Sequence, residues 1–166
     1  MKFDLQDVES RGFYNKKQNG TSSIDKKRTI ANWSNFNTEV PDNRHGVYMV
    51  LTLNSTPIPF ITDNNPYYAK VYKNVVLKEK WQETPNVLYI GKTSGKTTSL
   101  HKRINQYLNH KQNHNGGKAI WQIQGHLNFV IVWKELTPTD AVLQEKALLN
   151  EFRCEYKHLP LANWRR

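Results

Sequence analysis

One tyrosine lies in the middle of a short apolar run. Tyr89 sits within residues 87–92, where three aliphatic neighbours surround it, Gly91 follows, and a polar loop comes next. The run predicts a buried strand that stops at Gly91. A phenol in a buried strand must find a polar partner or face a cleft. Tyr89 is therefore either an ordinary core tyrosine or a candidate for proton transfer.

Two more polar residues fall at the edge of a predicted helix from about residue 100 to residue 110. The apolar stripe of this helix consists of Leu100, Ile104 and Leu108. Arg103 and Tyr107 lie four positions apart at the edge of that stripe. This spacing lets one phosphate contact both side chains. The alternative for Arg103 is a side chain whose stem covers apolar surface while its head stays in water.

A carboxylate stands beside the apolar stripe of the last predicted helix. Thr137 and Pro138 mark the start of this helix, which runs to about residue 156. The stripe is formed by Ala141, Val142, Leu148, Leu149 and Phe152. Glu145 falls on or next to it, and a buried carboxylate needs a cation, a metal ion or a strong donor. A structural ion pair between Glu145 and Arg103 is the alternative to a metal site.

These residues are positioned by a chain that reads as one domain with two additions. Strands are predicted at 46–53, 87–91 and 127–133, and a short helix at 118–124. Residues 1–45 form a basic N-terminal extension, predicted to be loosely held with one short docked helix. Residues 54–86 form an insertion with its own strand or helix, whose aromatic and basic residues suit base stacking.

Composition limits the partners. The formal net charge of the 166 residues is +10, and such a positive field attracts a phosphate backbone. No run is long enough to span a membrane and no signal-peptide core is evident, so a cytoplasmic protein without a membrane partner is expected. The lone Cys154 excludes an internal disulfide. Only His110 and His114 stand at metal-ligand spacing, and the histidines are interpreted as surface or phosphate contacts.

Two tripeptides carry a resemblance to a known family. Gly46–Val47–Tyr48 and Tyr89–Ile90–Gly91 are followed by Arg103, Glu145 and Asn163 in that order. This arrangement, over about residues 46–164, resembles the GIY-YIG nucleases. The resemblance implies an α/β (α+β) fold, with a small central three-stranded β-sheet flanked by helices and a nuclease domain over 46–166. The insertion between the first two strands departs from the short link usual in the family.

The resemblance also implies an activity and roles. It predicts a phosphodiesterase that uses Mg²⁺ or Mn²⁺, with Glu145 as the metal ligand. Arg103 would bind a phosphate oxygen. Tyr89 would be the general base, with Lys92, Arg103 and the metal lowering its pKa or relaying its proton as hydroxide forms, and the sequence leaves open which tyrosine is the base. Tyr48 and Tyr107 would orient the water or the phosphate. Asn163 would support the site. Lys92 and Tyr107 resemble the variant found in the nucleotide-excision-repair endonuclease subunit.

Three functions remain open at this point. The first is a metal-dependent DNA endonuclease acting on double-stranded DNA, for restriction, repair or a mobile element. The second is a nuclease for single strands or RNA, with the aromatic insertion as a stacking platform. The third is a catalytically silent nucleic-acid-binding module. The oligomeric state is also open, and a homodimer is one option.

Overall fold

The protein has a mixed α and β fold. The computed structural model describes residues 3–33, 36–54, 59–61, 65–67, 74–81, 86–111 and 116–164. Its helices are α1 Leu5–Ser10, α2 Phe36–Glu39, α3 Asn74–Lys80, α4 Leu100–Leu108 and α5 Pro138–Tyr156, and its strands are β1 Lys16–Gln18, β2 Thr21–Ser23, β3 Gly46–Leu51, β4 Val87–Thr93 and β5 Val130–Glu135. None of these helices combines the length and apolarity that crossing a membrane requires.

A three-stranded antiparallel sheet lies at the centre. β3 is the middle strand and pairs with β4 on one side and β5 on the other. All six residues of β3 are buried, as expected for a strand covered on both faces. The predicted three-stranded sheet flanked by helices is confirmed at this level. A separate two-stranded sheet is formed by the polar hairpin β1–β2.

The two long helices cover opposite faces of the sheet. Ile104 and Tyr107 of α4 belong to the apolar cluster that contains Tyr48 and Tyr89. Leu148 and Phe152 of α5 belong to the other cluster, with Val47, Met49 and Ile90. Because side chains alternate along a strand, each face of β3 and β4 contributes to one cluster. The result is a layer of helix, sheet and helix.

The strand β4 differs from its prediction in two ways. It does not stop at Gly91 but continues to Thr93. Its pairing with β3 shifts by one residue, since Val50 pairs with Tyr89 but Leu51 pairs with Val87. Leu88 is the extra residue of this bulge. A regular strand would place Leu88 and Tyr89 on opposite faces, whereas here both belong to the same cluster.

The N-terminal extension is packed rather than loosely held. Phe3, Val8 and Phe13 are buried in the cluster on the α5 side. Ile30 and Trp33 are buried in the cluster on the α4 side. Aromatic and aliphatic side chains that are distant in sequence therefore wrap both faces of the sheet. The low local hydrophobicity of the segment concealed this, because its few apolar residues are nearly all used for packing.

The insertion contains the helix α3, which confirms an ordered element of its own. Leu77 and Trp81 are buried in the α4-side cluster and anchor the helix. Tyr68, one of the aromatic residues of the insertion, lies outside the described residues. Its neighbour Tyr67 stacks on the ring of His110, with centroids 4.3 Å apart.

In α5, Val142 is exposed, so its place in the predicted buried stripe is wrong.

A half-buried histidine and a buried one form a pair that the sequence did not indicate. The Nε2 atoms of His110 and His126 lie 2.9 Å apart, and His126 Nδ1 donates to the carbonyl oxygen of Ile123 at 3.1 Å. His126 is buried, so the expectation of a surface contact is wrong for it. His114 lies outside the described residues. Burial lowers the pKa of His126 to about 4 and also lowers the pKa of His110.

Acid is expected to destabilise the protein through His126. The unfolded chain binds a proton at His126 near pH 6.5, whereas the folded protein resists it until about pH 4. The contribution to stability is therefore complete above about pH 6.5 and is lost as the pH falls towards 4, by at most about 3 kcal/mol. Urea unfolding at several pH values measures this loss. In His126→Gln the dependence within this window should flatten, and an unchanged dependence would contradict the assignment.

Candidate active site

Three tyrosines meet on the α4 side of the sheet. The ring centroids of Tyr48 and Tyr89 are 5.8 Å apart, and each lies 6.0 Å from the ring of Tyr107. Tyr48 and Tyr89 come from the adjacent strands β3 and β4, and Tyr107 comes from α4. Tyr48 and Tyr89 therefore share one face of the sheet, towards the helix that carries Arg103. All three rings are at least nine-tenths buried.

Glycines make room for these rings. A Cβ atom built on Gly91 would lie 2.6 Å from the hydroxyl oxygen of Tyr48 and 2.7 Å from Cε1 of Tyr89. On Gly117, whose φ is 71°, it would lie 1.8 Å from the hydroxyl oxygen of Tyr107. Only glycine fits either position, for lack of space at Gly91 and for both space and backbone angle at Gly117. Gly91, the glycine of the second tripeptide, thus makes room for the tyrosine rings and does not end the strand.

The side chains of Lys92 and Glu145 approach the region of the tyrosines from the opposite, α5-covered face of the sheet. Lys92 pairs with Val47 across β3 and β4, so both side chains leave the sheet on the α5 side. Lys92 Nζ donates to Glu145 Oε2 of α5. Glu145 is therefore paired with Lys92 and not with Arg103. The ion pair between Glu145 and Arg103, considered from the sequence as the alternative to a metal site, is wrong. Because β4 is an edge strand, side chains from both faces meet at its rim.

An open cleft of about 370 Å³ joins these groups. Its lining consists of Tyr48, Tyr89, Lys92, Ser94, Gly95, Thr98, Arg103, Gly116 and Glu145. Arg103 Nη1 donates to Gln106 Oε1 of the same helix at 3.0 Å. The cleft therefore presents two cations, one carboxylate and two phenols to a single space. These come from β3, β4, α4 and α5.

Tyr107 forms the floor beneath the cleft rather than part of its lining. It is fully buried, and its hydroxyl donates to the carbonyl oxygen of Gly116 at 3.1 Å. A Cβ atom built on Gly116 would lie 2.3 Å from the hydroxyl oxygen of Tyr89. Gly116 thus bridges the two tyrosines. The sequence analysis missed its contribution, although two adjacent glycines are a signal of close backbone approach.

Asn163 supports the strand that carries Tyr89. Its Nδ2 donates to the carbonyl oxygen of Ile90 at 2.8 Å, and its Oδ1 accepts from the Ile90 amide at 3.0 Å. The side-chain amide thus imitates a neighbouring strand on the open edge of β4. Ile90 lies between Tyr89 and Gly91, so this pair of hydrogen bonds fixes the backbone on both sides of it. Asn163 does not line the cleft.

The phenols are held protonated in the protein by itself. Burial raises the pKa of Tyr89, and it outweighs the lowering effects of a hydrogen bond from Tyr48 and of the nearby Arg103. Burial also raises the pKa of Tyr48 and Tyr107 well above the ordinary value. The expected lowering of the Tyr89 pKa by Lys92, Arg103 and a metal ion together stays a prediction, because in the protein by itself burial outweighs the effect of Arg103. Lys92 is engaged by Glu145 on the other face, and Arg103 does not offset burial.

Alkali is expected to unfold the protein as these phenols ionise. The unfolded chain loses tyrosine protons near pH 10, whereas the folded protein retains them to higher pH. The stabilising contribution is thus present below about pH 10 and is lost as the pH rises through the folded pKa values. Absorbance at 295 nm and circular dichroism, followed together, should show a tyrosinate step that coincides with unfolding. In Tyr107→Phe this step should shrink. A complete tyrosinate signal from the folded protein would contradict the prediction.

The side chains that line the cleft fit an ion shared with a phosphate rather than a closed metal site. Within the described part of the chain, no three His, Cys, Asp or Glu side chains cluster around a common point. Glu145 is the one carboxylate in the lining, and its Oε1 accepts no hydrogen bond from described residues. Mg²⁺ commonly binds one or two carboxylates, substrate phosphate oxygens and water. A single half-buried carboxylate facing an open cleft fits this mode.

Comparisons with known proteins do not identify a relative. No family model, curated protein or solved structure matches this chain. The resemblance to the GIY-YIG nucleases therefore rests on the two tripeptides and the residues that follow them.

Proposed function

We propose that this protein is a divalent-metal-dependent DNA endonuclease of the GIY-YIG type. The observation that supports it is the convergence of five polar side chains on one cleft: Tyr48, Tyr89, Lys92, Arg103 and Glu145. They come from four elements that are far apart in sequence. Packing requirements alone give no reason to gather two cations, a carboxylate and two phenols around an open space. A nuclease needs this set.

Each group has a role in phosphodiester hydrolysis. Arg103 binds a non-bridging phosphate oxygen, in the manner of a guanidinium with an anion. Glu145 would hold Mg²⁺ or Mn²⁺, which when bound supplies a Lewis acid for the scissile phosphate and the leaving oxygen. Lys92 orients the Glu145 carboxylate through their ion pair. Asn163 and Gly91 hold the strand and the rings in place.

Tyr89 is the proposed general base. Because burial keeps its phenol protonated, Tyr89 takes a proton from the attacking water only as its own proton leaves to the solvent of the open cleft. A hydrogen bond from Tyr48 lowers the pKa of Tyr89, so Tyr48 stabilises the developing phenolate. Tyr107 then acts as a support for both rings.

Double-stranded DNA is the proposed substrate. The net charge of +10 favours a polyanion. Tyr67, the described member of the aromatic run proposed as a stacking platform, is packed against His110 and His126. This packing occupies part of its ring surface, which weakens the case for a single-strand or RNA nuclease. The silent binding module remains the alternative outcome of the cleavage test.

A cleavage assay tests the proposal. The purified protein is incubated with plasmid DNA, single-stranded DNA and RNA in Mg²⁺, Mn²⁺ or EDTA. We expect cleavage of the duplex that requires the metal and that falls at least about a hundredfold in Arg103→Gln, because a phosphate donor is lost. Arg153→Gln removes an exposed charge from α5 and serves as the matched control. Binding without any cleavage in either metal would favour the silent module.

A further inference from the structure

A partly buried lysine connects the insertion to residues 161–164. Lys80, the last residue of α3, donates from Nζ to the carbonyl oxygen of Leu161 at 2.9 Å and to that of Asn163 at 2.8 Å. The ammonium also lies 4.5 Å from the ring centroid of Trp164. Two carbonyl oxygens and an aromatic face are all groups that favour a cation. A single side chain thus clamps residues 161–164.

The clamped segment is the one that holds β4. The amide of Ala162 donates to the carbonyl oxygen of Leu88 at 2.9 Å, and the side chain of Asn163 makes two hydrogen bonds with the backbone of Ile90. These contacts cover the open edge of the strand on both sides of Tyr89. Among the described residues, β4 is the strand to which this segment hydrogen-bonds. Core packing of Leu161 and Ala162 and the hydrogen bonds from Lys80 to two carbonyl groups hold the segment from its other side.

The helix that carries Lys80 is anchored in the core. Leu77 and Trp81 flank Lys80 along the chain and are buried in the same cluster as Leu161 and Ala162. Lys80 itself is partly buried, and burial lowers its pKa to about 8. A desolvated ammonium is costly unless its donors are used. Core packing thus holds α3 at this contact, and the need to satisfy its donors holds the Lys80 ammonium there.

We propose that Lys80 is a positioning residue through which the insertion holds Tyr89 in the active cleft. The inference rests on the proposed function, because it assigns a support to that same site. The path runs from Lys80 to the carbonyl groups of Leu161 and Asn163, from the Asn163 side chain to Ile90, and from Ile90 to Tyr89. The insertion between the two tripeptide strands is then a structural part of the site.

Amide hydrogen exchange tests the path without reference to cleavage. In Lys80→Met, the amide of Ile90 should exchange about tenfold faster or more, while amides of β5 stay unchanged. Lys78→Met, at an exposed position of the same helix, is the matched control and should leave Ile90 unchanged. Lys80→Arg retains the charge and several donors and should restore slow exchange. If Lys80→Met does not fold, Lys80→Gln is measured in the same way.

Kinetics on the same variants separate positioning from general stability. Lys80→Met should lower kcat about tenfold with little change in KM, since the contact places Tyr89 but does not touch DNA. Lys80→Arg should recover kcat. Unchanged Ile90 exchange in a folded Lys80→Met or Lys80→Gln protein would overturn the clamp. A wild-type protein without nuclease activity would instead overturn the proposed function and leave the exchange result to decide the clamp.

Discussion

Replacing Glu145 by Gln is expected to abolish metal-dependent cleavage while DNA binding is retained. The substitution keeps the volume of the side chain but removes the charge that would bind Mg²⁺ or Mn²⁺. We expect a loss of at least about a thousandfold in kcat, because metal stabilisation of the transition state is worth several kcal/mol. Initial rates on plasmid DNA and a filter-binding or anisotropy assay measure the two effects separately.

The chain offers a closely matched control for that substitution. Glu151 lies on the same helix and also forms an ion pair, accepting from Arg11 Nη1 at 2.9 Å and from Arg11 Nη2 at 2.7 Å. Glu151→Gln breaks a pair between α5 and the N-terminal segment, away from the cleft. It should lower stability but leave cleavage nearly unchanged. Undiminished cleavage by Glu145→Gln would remove the basis of the proposed mechanism.

Replacing Gly91 by Ala is expected to cause the second large loss. The added Cβ atom would approach the Tyr48 hydroxyl oxygen and a ring carbon of Tyr89 to less than 3 Å. Both rings must move, and a displacement of about 1 Å in a catalytic group can cost about a hundredfold in rate. The free energy of unfolding should fall as well, by about 1–3 kcal/mol, because the site is overpacked. Cleavage rates and urea unfolding measure both.

Gly20→Ala separates this clash from a general effect of losing glycine. Gly20 lies in the turn of the β1–β2 hairpin with φ of 81°, and a Cβ atom there meets nothing within 4 Å. The variant should lose some stability through backbone strain but keep its cleavage rate. If Gly91→Ala cleaved as fast as Gly20→Ala, the tyrosine rings would not be under the steric control that the geometry indicates.

For the three strands of the central sheet and the two long helices, the sequence by itself determined the kind of element and the order. The cap of α5 is an example: Thr137 Oγ1 accepts from the Asp140 amide at 3.1 Å, and the helix ends at Tyr156, as the local pattern predicted. The strands around Tyr48 and Tyr89 were also predictable, because an apolar run bounded by turn residues is a local signal. The ends of the strands were predicted less well, since the continuation of β4 through Gly91 was missed.

The composition of the cleft was predicted in part. Tyr89, Arg103 and Glu145 were candidates because each is a polar residue in or beside an apolar pattern. Tyr48 and Lys92 became candidates through the resemblance to the GIY-YIG nucleases. Their partners were not predictable. Pairing of Lys92 with Glu145 requires knowing that α5 covers the face of the sheet opposite α4, and no local pattern records which helix covers which face.

Tertiary structure alone decided the contacts between distant segments. A strand's alternation assigns its residues to two faces, but the one-residue bulge at Leu88 changes that assignment and arises from pairing with β3. Gly116 reaches Tyr89 and Lys80 reaches Asn163 only after the chain has folded, because these contacts join segments with no shared periodicity. Local patterns depend on neighbouring residues, whereas register, layer order and close approach depend on how the whole chain closes its core.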